Sequence, residues 1–284
     1  MKKQTLSTLA LVLVLLVGLS LLLYPAVSAW WNSMHQSRAI AEYSAHVRQL
    51  DPAAYEQMWQ DAEAYNKALA DNPDRFTMTE EERAAYEKLL DVDGTGVMGS
   101  VEIPAINCTL PIYHGTDAGA LQAGTGHLEG SSLPTGGAGT HCVLSSHRGL
   151  PSATLFTNLD KIQLGDTFTL TVLDRTLTYQ VDQIIVVEPY DMDALAIDPV
   201  QDYCTLVTCT PYGINTHRLL VRGRRVQAGT TVQAAALTAD ATAVSPARVA
   251  AVLLAAPACI ILAVWLLPGR RRKKRRAAHT KGDT

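Results

Sequence analysis

Between Lys3 and Arg38 the chain carries no Asp, Glu, Lys or Arg, and residues 6–24 are apolar almost throughout. About 20 such residues in a helix match a hydrocarbon core about 30 Å thick, so this run predicts a membrane span. The competing reading is a cleaved leader, because Val27-Ser28-Ala29 offers small residues in a cleavage-site arrangement. A second uncharged run, 249–267, is interrupted only by Pro257, a residue that lipid-embedded helices tolerate. From 36 to 70 the positions Tyr43, Val47, Leu50, Tyr55, Met58, Trp59 and Tyr65 follow an interrupted helical period. Asp51-Pro52 breaks it, since proline disfavours helix in the residue before it. Thr79 and Glu82 have the spacing of a capping box and predict a short helix running to Leu90.

Beyond the turn cluster Asp93-Gly94-Thr95-Gly96 the pattern changes to short alternating runs at 97–103, 108–113, 141–145, 167–173, 177–187, 204–208 and 218–226. Short strands separated by Gly, Pro and Asp predict a mainly β domain, a barrel or a sandwich. Ala and Thr then dominate an almost uncharged linker. The chain thus divides into an N-terminal end at 1–5, a span at 6–24, a helical segment at 25–91, a β domain at 92–226, a linker at 227–248, a second span at 249–267 and a basic tail at 268–284.

Composition sharpens this division. With 284 residues there is room for one large domain or two small ones. At 48% hydrophobic and 18% charged, the chain is too apolar to be disordered and carries less charge than a soluble enzyme, which the two spans account for. The net charge of −3 averages opposite ends and middle: Lys2, Lys3, Arg270 through Arg276 and Lys281 sit at the termini, leaving an acidic body. An acidic body excludes nucleic-acid binding by bulk electrostatics. Basic residues flanking each span place both termini in the cytoplasm and residues 30–247 outside.

Five cysteines, an odd number with no Cys-x-x-Cys pair, argue against a disulfide framework and against a zinc ribbon. A nucleophilic thiol needs a base or cation beside it and a group that stabilises the oxyanion it creates. Cys259 lies in the second span, and Cys108 and Cys142 lie in β runs as small hydrophobes. Cys204 and Cys209 remain; an odd separation along one strand turns them to opposite faces, and Cys209 stands where the run ends before Thr210-Pro211-Tyr212-Gly213. Two histidines, His147 and His217, precede an arginine. If Arg218 faces Cys209, His217 faces away and His147 becomes the partner. His114, His127, His141 and His147 match no compact metal spacing, so no metal or cofactor is expected.

Thr205-Leu206-Val207-Thr208-Cys209 resembles the TLxTC signature of sortases, and Thr210-Pro211-Tyr212-Gly213-Ile214-Asn215-Thr216-His217-Arg218-Leu219-Leu220-Val221-Arg222-Gly223 is similar to the pilin-polymerising class C group. Further matching stretches begin at Leu110, Gly126 and Ser145, and the resemblance covers residues 36–226. It implies a closed sortase barrel of roughly eight strands, with N-terminal helices, two flanking transmembrane helices, and an active Cys209, His147 and Arg218. It implies cleavage of an LPxTG-like sorting signal between Thr and Gly, a thioester on Cys209, and transfer to an amine, usually a pilin lysine. Cys209 would attack, His147 would shuttle the proton and Arg218 would steady the oxyanion or substrate backbone.

The implied setting is the cell membrane of a Gram-positive-type bacterium, with the catalytic domain extracellular, and the implied partners are sorting signals of pilin or surface proteins and the lipid bilayer. Alternatives are anchoring of surface proteins to peptidoglycan, a thiol hydrolase using Cys209, or a non-enzymatic surface-anchored protein. The last lacks an LPxTG motif ahead of residue 249, where only Val244-Ser245-Pro246-Ala247 stands. One departure concerns the lid with an Asp-Pro-aromatic motif that class C sortases often carry. Asp51-Pro52 precedes Ala53, and Asn72-Pro73-Asp74-Arg75-Phe76 has the wrong order, so a lid is not expected; Phe76 is placed under the Thr79 helix in preference to the groove. Leu133-Pro134-Thr135-Gly136 is read as a loop.

Overall fold

A computed structural model of the chain describes residues 2–227. The predicted linker, second span and basic tail lie outside the described residues.

Helix α1, Lys2–Val47, continues the apolar run without a break and takes Pro25 into its interior. It is the one described helix long and apolar enough to cross a membrane, with a mean hydropathy of 2.8 in its most apolar window. Residues 2–23 belong to a different unit from residues 24–227. The predicted break at Asp51-Pro52 is also a start. Asp51 accepts the Ala53 N–H as N-cap and Pro52 opens α2, Pro52–Ala70, because proline lacks only an N–H that the first turn leaves unused. Trp59, Ala62, Asn66 and Leu69 form the buried stripe of α2. The capping box of Thr79 and Glu82 forms as predicted and opens α3, Glu80–Tyr86, which stops one turn short of Leu90.

The β domain is a closed barrel. Its strands are β1 (Val97–Ile103), β2 (Cys108–His114), β3 (Thr125–His127), β4 (Thr140–Ser145), β5 (Thr167–Val172), β6 (Arg175–Val187), β7 (Asp202–Thr210) and β8 (His217–Val226). Going round, the order is β1-β2-β3-β4-β7-β8-β6-β5. The pairs β2–β3 and β4–β7 are parallel and the others antiparallel. Among the described strands and α-helices, two were not predicted: β3, three residues long within a glycine-rich stretch, and a short helix α4, Ala118–Ala123, capped by Asp117.

Alternation fills the interior with Val101, Ile112, Leu144, Phe168, Leu170, Tyr179, Leu206 and Val221, all essentially inaccessible. Fully burying each large apolar side chain contributes about 1.5–3 kcal/mol. Three buried polar groups dock the helices onto the barrel. The Tyr43 hydroxyl donates to the Met98 carbonyl at 2.8 Å and accepts from the Leu173 N–H at 2.9 Å. Asn66 donates to the Leu133 carbonyl and Thr135 Oγ1 and accepts the Leu133 N–H, which holds the 133–136 segment as the expected loop. Tyr86 donates to His127 Nδ1 at 2.7 Å.

Candidate active site

Of the three predicted residues, Cys209 lies on β7, Arg218 on the neighbouring β8, and His147 just beyond the end of β4, the other neighbour of β7. Pairing of β7 with β8 sets Cys209 opposite Arg218 and Val207 opposite Leu220. Pairing of β4 with β7 runs in parallel from Thr140–Asp202 to Ser145–Val207. Beyond the end of β4 the chain stays alongside, because the Ser146 N–H donates to the Val207 carbonyl and Thr208 Oγ1 donates to the Ser146 carbonyl. His147 is the next residue, two beyond the end of β4. Residues level on adjacent strands share a face, so Cys209 and Arg218 do so on β7 and β8.

Strand alternation separates the two candidate thiols as expected. Cys204 points into the barrel and is wholly buried, and burial raises its thiol pKa well above the ordinary value. Cys209 lies on the outer face and is partly exposed. Cys108 is likewise buried, its thiol pushed up to about 12 by desolvation. A thiol held protonated is a poor nucleophile, and Cys142 is buried beside Cys204 on β4, so among the described cysteines access singles out Cys209.

Next to this pair is a groove of about 230 Å³. Its floor includes Ser145, Val207 and Leu220, paired across β4, β7 and β8 in the row preceding the Cys209–Arg218 pair, and Arg218 itself lines it. One side is formed by Leu121 and Leu128; the other is the β6–β7 connection, through Pro189, Met192 and Leu195. A mostly apolar groove, with Glu188 and Asp191 also in its lining, that reaches the Arg218 guanidinium can hold an extended peptide beside the Cys209–Arg218 pair. Arg218 Nη1 donates to the carbonyls of Asn215 and His217, so the guanidinium is braced by its own turn.

The geometry adds Arg148, which sequence reasoning did not single out. Its side chain is only 8% exposed and pairs with Asp160 at 2.5 Å. Nη1 lies 3.5 Å from Thr210 Oγ1, and the guanidinium stands 5.7 Å from the centre of the Tyr212 ring. Arg148 therefore links the residue after His147 to the turn after Cys209. The remaining buried histidines are occupied elsewhere. His114 lies between the carbonyls of Leu89 and Gly96, His127 between Tyr86 and the Ser132 carbonyl, and His141 between the Ala196 carbonyl and Thr205 Oγ1. The Phe76 ring lies under the Arg75 guanidinium, 4.2 Å from its centroid.

Comparison with known proteins follows the same outline. The sortase domain family matches residues 101–226. Sortase D of Bacillus subtilis is 32% identical over 131 residues, 45% of this chain and 63% of its own length. Sortase A of Streptococcus agalactiae is 29% identical, with 54% of its length covered. The chain thus spans less than two thirds of these curated relatives. Among solved structures, sortase C1 of S. agalactiae is 52% identical with a TM-score of 0.65, covering 67% of this chain and 98% of that one. Sortase C of Streptococcus pneumoniae is 47% identical with a TM-score of 0.61, covering 69% of this chain and all of that one.

Proposed function

Since this chain belongs to the sortase family, with class C sortases among its structural relatives, we propose that it is a membrane-anchored cysteine transpeptidase acting on LPxTG-like sorting signals. The observation that supports this reading is the pairing of Cys209 with Arg218 on β7 and β8, beside a groove that Arg218 lines, with the segment leading from β4 to His147 hydrogen-bonded alongside β7. The signal lies extended in the groove with its Thr carbonyl at Cys209. The Cys209 thiolate attacks that carbon, and charge passes to the carbonyl oxygen. Arg218 stabilises the oxyanion or the substrate backbone beside it. As the C–N bond breaks, His147 gives a proton to the leaving Gly amine, and the Thr acyl group stays on Cys209 as a thioester. An incoming amine loses its proton to His147, attacks the thioester and releases the thiolate.

The acceptor is a pilin lysine on this proposal. The S. pneumoniae relative is described in terms of pilin substrate specificity, and another relative is sortase C1 of a pilus island in group B Streptococcus. Helix α1 supplies the N-terminal membrane anchor, and the second span, outside the described residues, returns the chain to the cytoplasm with its basic tail. The β domain then works outside the cell membrane of a Gram-positive-type bacterium.

The test is cleavage of an LPxTG-like peptide by the full chain in detergent, with and without an added amine. The expected result is an amine-dependent change of product, a peptide–enzyme adduct on Cys209 by mass spectrometry, and no turnover by Cys209→Ala. Retained turnover by Cys209→Ala, or loss on Cys204→Ala with Cys209 intact, contradicts the reading. A product unaffected by the amine assigns hydrolysis instead.

A further inference from the structure

The groove wall formed by the β6–β7 connection, residues 188–201, contains only one short 3-10 turn, Asp193–Leu195, and its outer part is open to solvent, with Tyr190 93% exposed. Connections of this kind are mobile unless other elements tie them down. Here two consecutive carbonyls are held by side chains from different parts of the chain. His141 Nδ1, on β4, donates to the Ala196 carbonyl at 2.8 Å. Arg75 Nη2, on the segment joining α2 to α3, donates to the Leu195 carbonyl at 2.8 Å. The other terminal nitrogen of Arg75, Nη1, donates to the Gly130 carbonyl at 2.7 Å. One guanidinium therefore bridges the groove wall to the turn between β3 and β4, a span that a single ammonium could not reproduce.

The strap is seated as well as bonded. Gly130 has φ of +81°, and a Cβ there would come within 2.3 Å of the Arg75 carbonyl oxygen, so the backbone at Arg75 lies directly against it. The Phe76 ring covers the guanidinium. Leu195, whose carbonyl Arg75 holds, is itself one of the side chains lining the groove.

We propose that Arg75 is a positioning residue for substrate binding: it fixes the β6–β7 wall against the barrel and so sets the width of the groove for the sorting signal. This rests on the reading that the groove takes that signal. Arg75 is not among the groove-lining residues, and its effect passes through Leu195, so it acts on KM and on selection among peptides while the chemistry at Cys209 proceeds as before. The motif Asn72-Pro73-Asp74-Arg75-Phe76 becomes a latch on the wall in place of a plug over the thiol.

The test compares the full wild-type chain with Arg75→Ala and Arg75→Lys in three measurements. Hydrogen exchange read by mass spectrometry is expected to accelerate across 188–196 in Arg75→Ala, with β4, β7 and β8 unchanged. For an LPxTG-like peptide, KM is expected to rise about tenfold with kcat within about twofold, and Arg75→Lys to fall between. Alkylation of Cys209 by iodoacetamide is expected to keep its wild-type rate. Unchanged exchange across 188–196, or a fall in kcat with KM unchanged, overturns the proposal. If Arg75→Ala does not fold, Arg75→Lys carries the same readouts. A wild-type chain that cleaves no peptide refutes the functional reading, while the exchange comparison still decides whether Arg75 holds the wall.

Discussion

His141 offers a measurement whose size can be worked out in advance. Its side chain is 1% exposed, and its two ring nitrogens have different partners. Nδ1 faces the Ala196 carbonyl at 2.8 Å, which can only accept, so Nδ1 carries the proton; Nε2 then accepts from the Thr205 hydroxyl at 2.7 Å. Adding a proton at Nε2 would place a charge in the interior and turn the Thr205 hydroxyl away. Burial accordingly lowers the His141 pKa from 6.5 to about 4, and the positive charges of Arg222 and Arg75 act in the same direction. The unfolded chain takes up this proton near 6.5 and the folded chain only near 4. The stabilisation is therefore complete above 6.5, declines as the pH falls and is gone by about 4. That interval corresponds to about 3 kcal/mol. Urea unfolding of the full chain, followed by tryptophan fluorescence between pH 7 and pH 4, should show wild type losing stability over this window and His141→Gln losing less by about that amount. His114 is also lowered by burial, and the comparison between the two proteins removes its share. Parallel pH dependence in wild type and His141→Gln would refute the assignment of the neutral, doubly bonded ring.

Two further substitutions probe the frame around the groove. Asn66→Ala strips the buried Leu133 N–H of its acceptor and leaves the Leu133 carbonyl with only the Thr135 N–H, and should lower the free energy of unfolding by about 2 kcal/mol; a loss near zero would mean that water replaces the amide. Arg148→Ala should cut kcat for an LPxTG-like peptide about tenfold or more by loosening the alignment of His147 with Cys209. Arg148→Lys should recover little of it, because one ammonium cannot serve both Asp160 and Thr210, whereas full activity in Arg148→Ala would leave alignment to the strands alone.

Much of this architecture was legible because its signals are local. Parity along one strand separated Cys204 from Cys209, and the same parity directed attention from His217 to His147 once Arg218 was set opposite Cys209. The capping box at Thr79 and the break at Asp51-Pro52 depend on residues within one turn of each other. What escaped notice depends on distant partners. β3 has only three residues, Thr125–His127, and exists because β2 and β4 flank it; no alternation can be read in so short a run. Arg75 meets Gly130 and Leu195, 55 and 120 residues away, and Arg148 meets Thr210 62 residues away. Neither arginine carries a local mark distinguishing it from a solvated charge.

The side-by-side pairing of β4 with β7 also orders events as the chain assembles. Cys209 and Arg218 lie on an antiparallel hairpin closed by a short turn, an arrangement that zips up early because little chain entropy must be given up. The arm bearing His147 joins them only across a separation of 62 residues, when Ser146 and Thr208 come together. On the proposed mechanism, a chain with only this hairpin folded thus holds its sulfur apart from its proton carrier. Acyl capture must wait until the cylinder has shut, so a half-built enzyme is spared from spending pilin precursors on water.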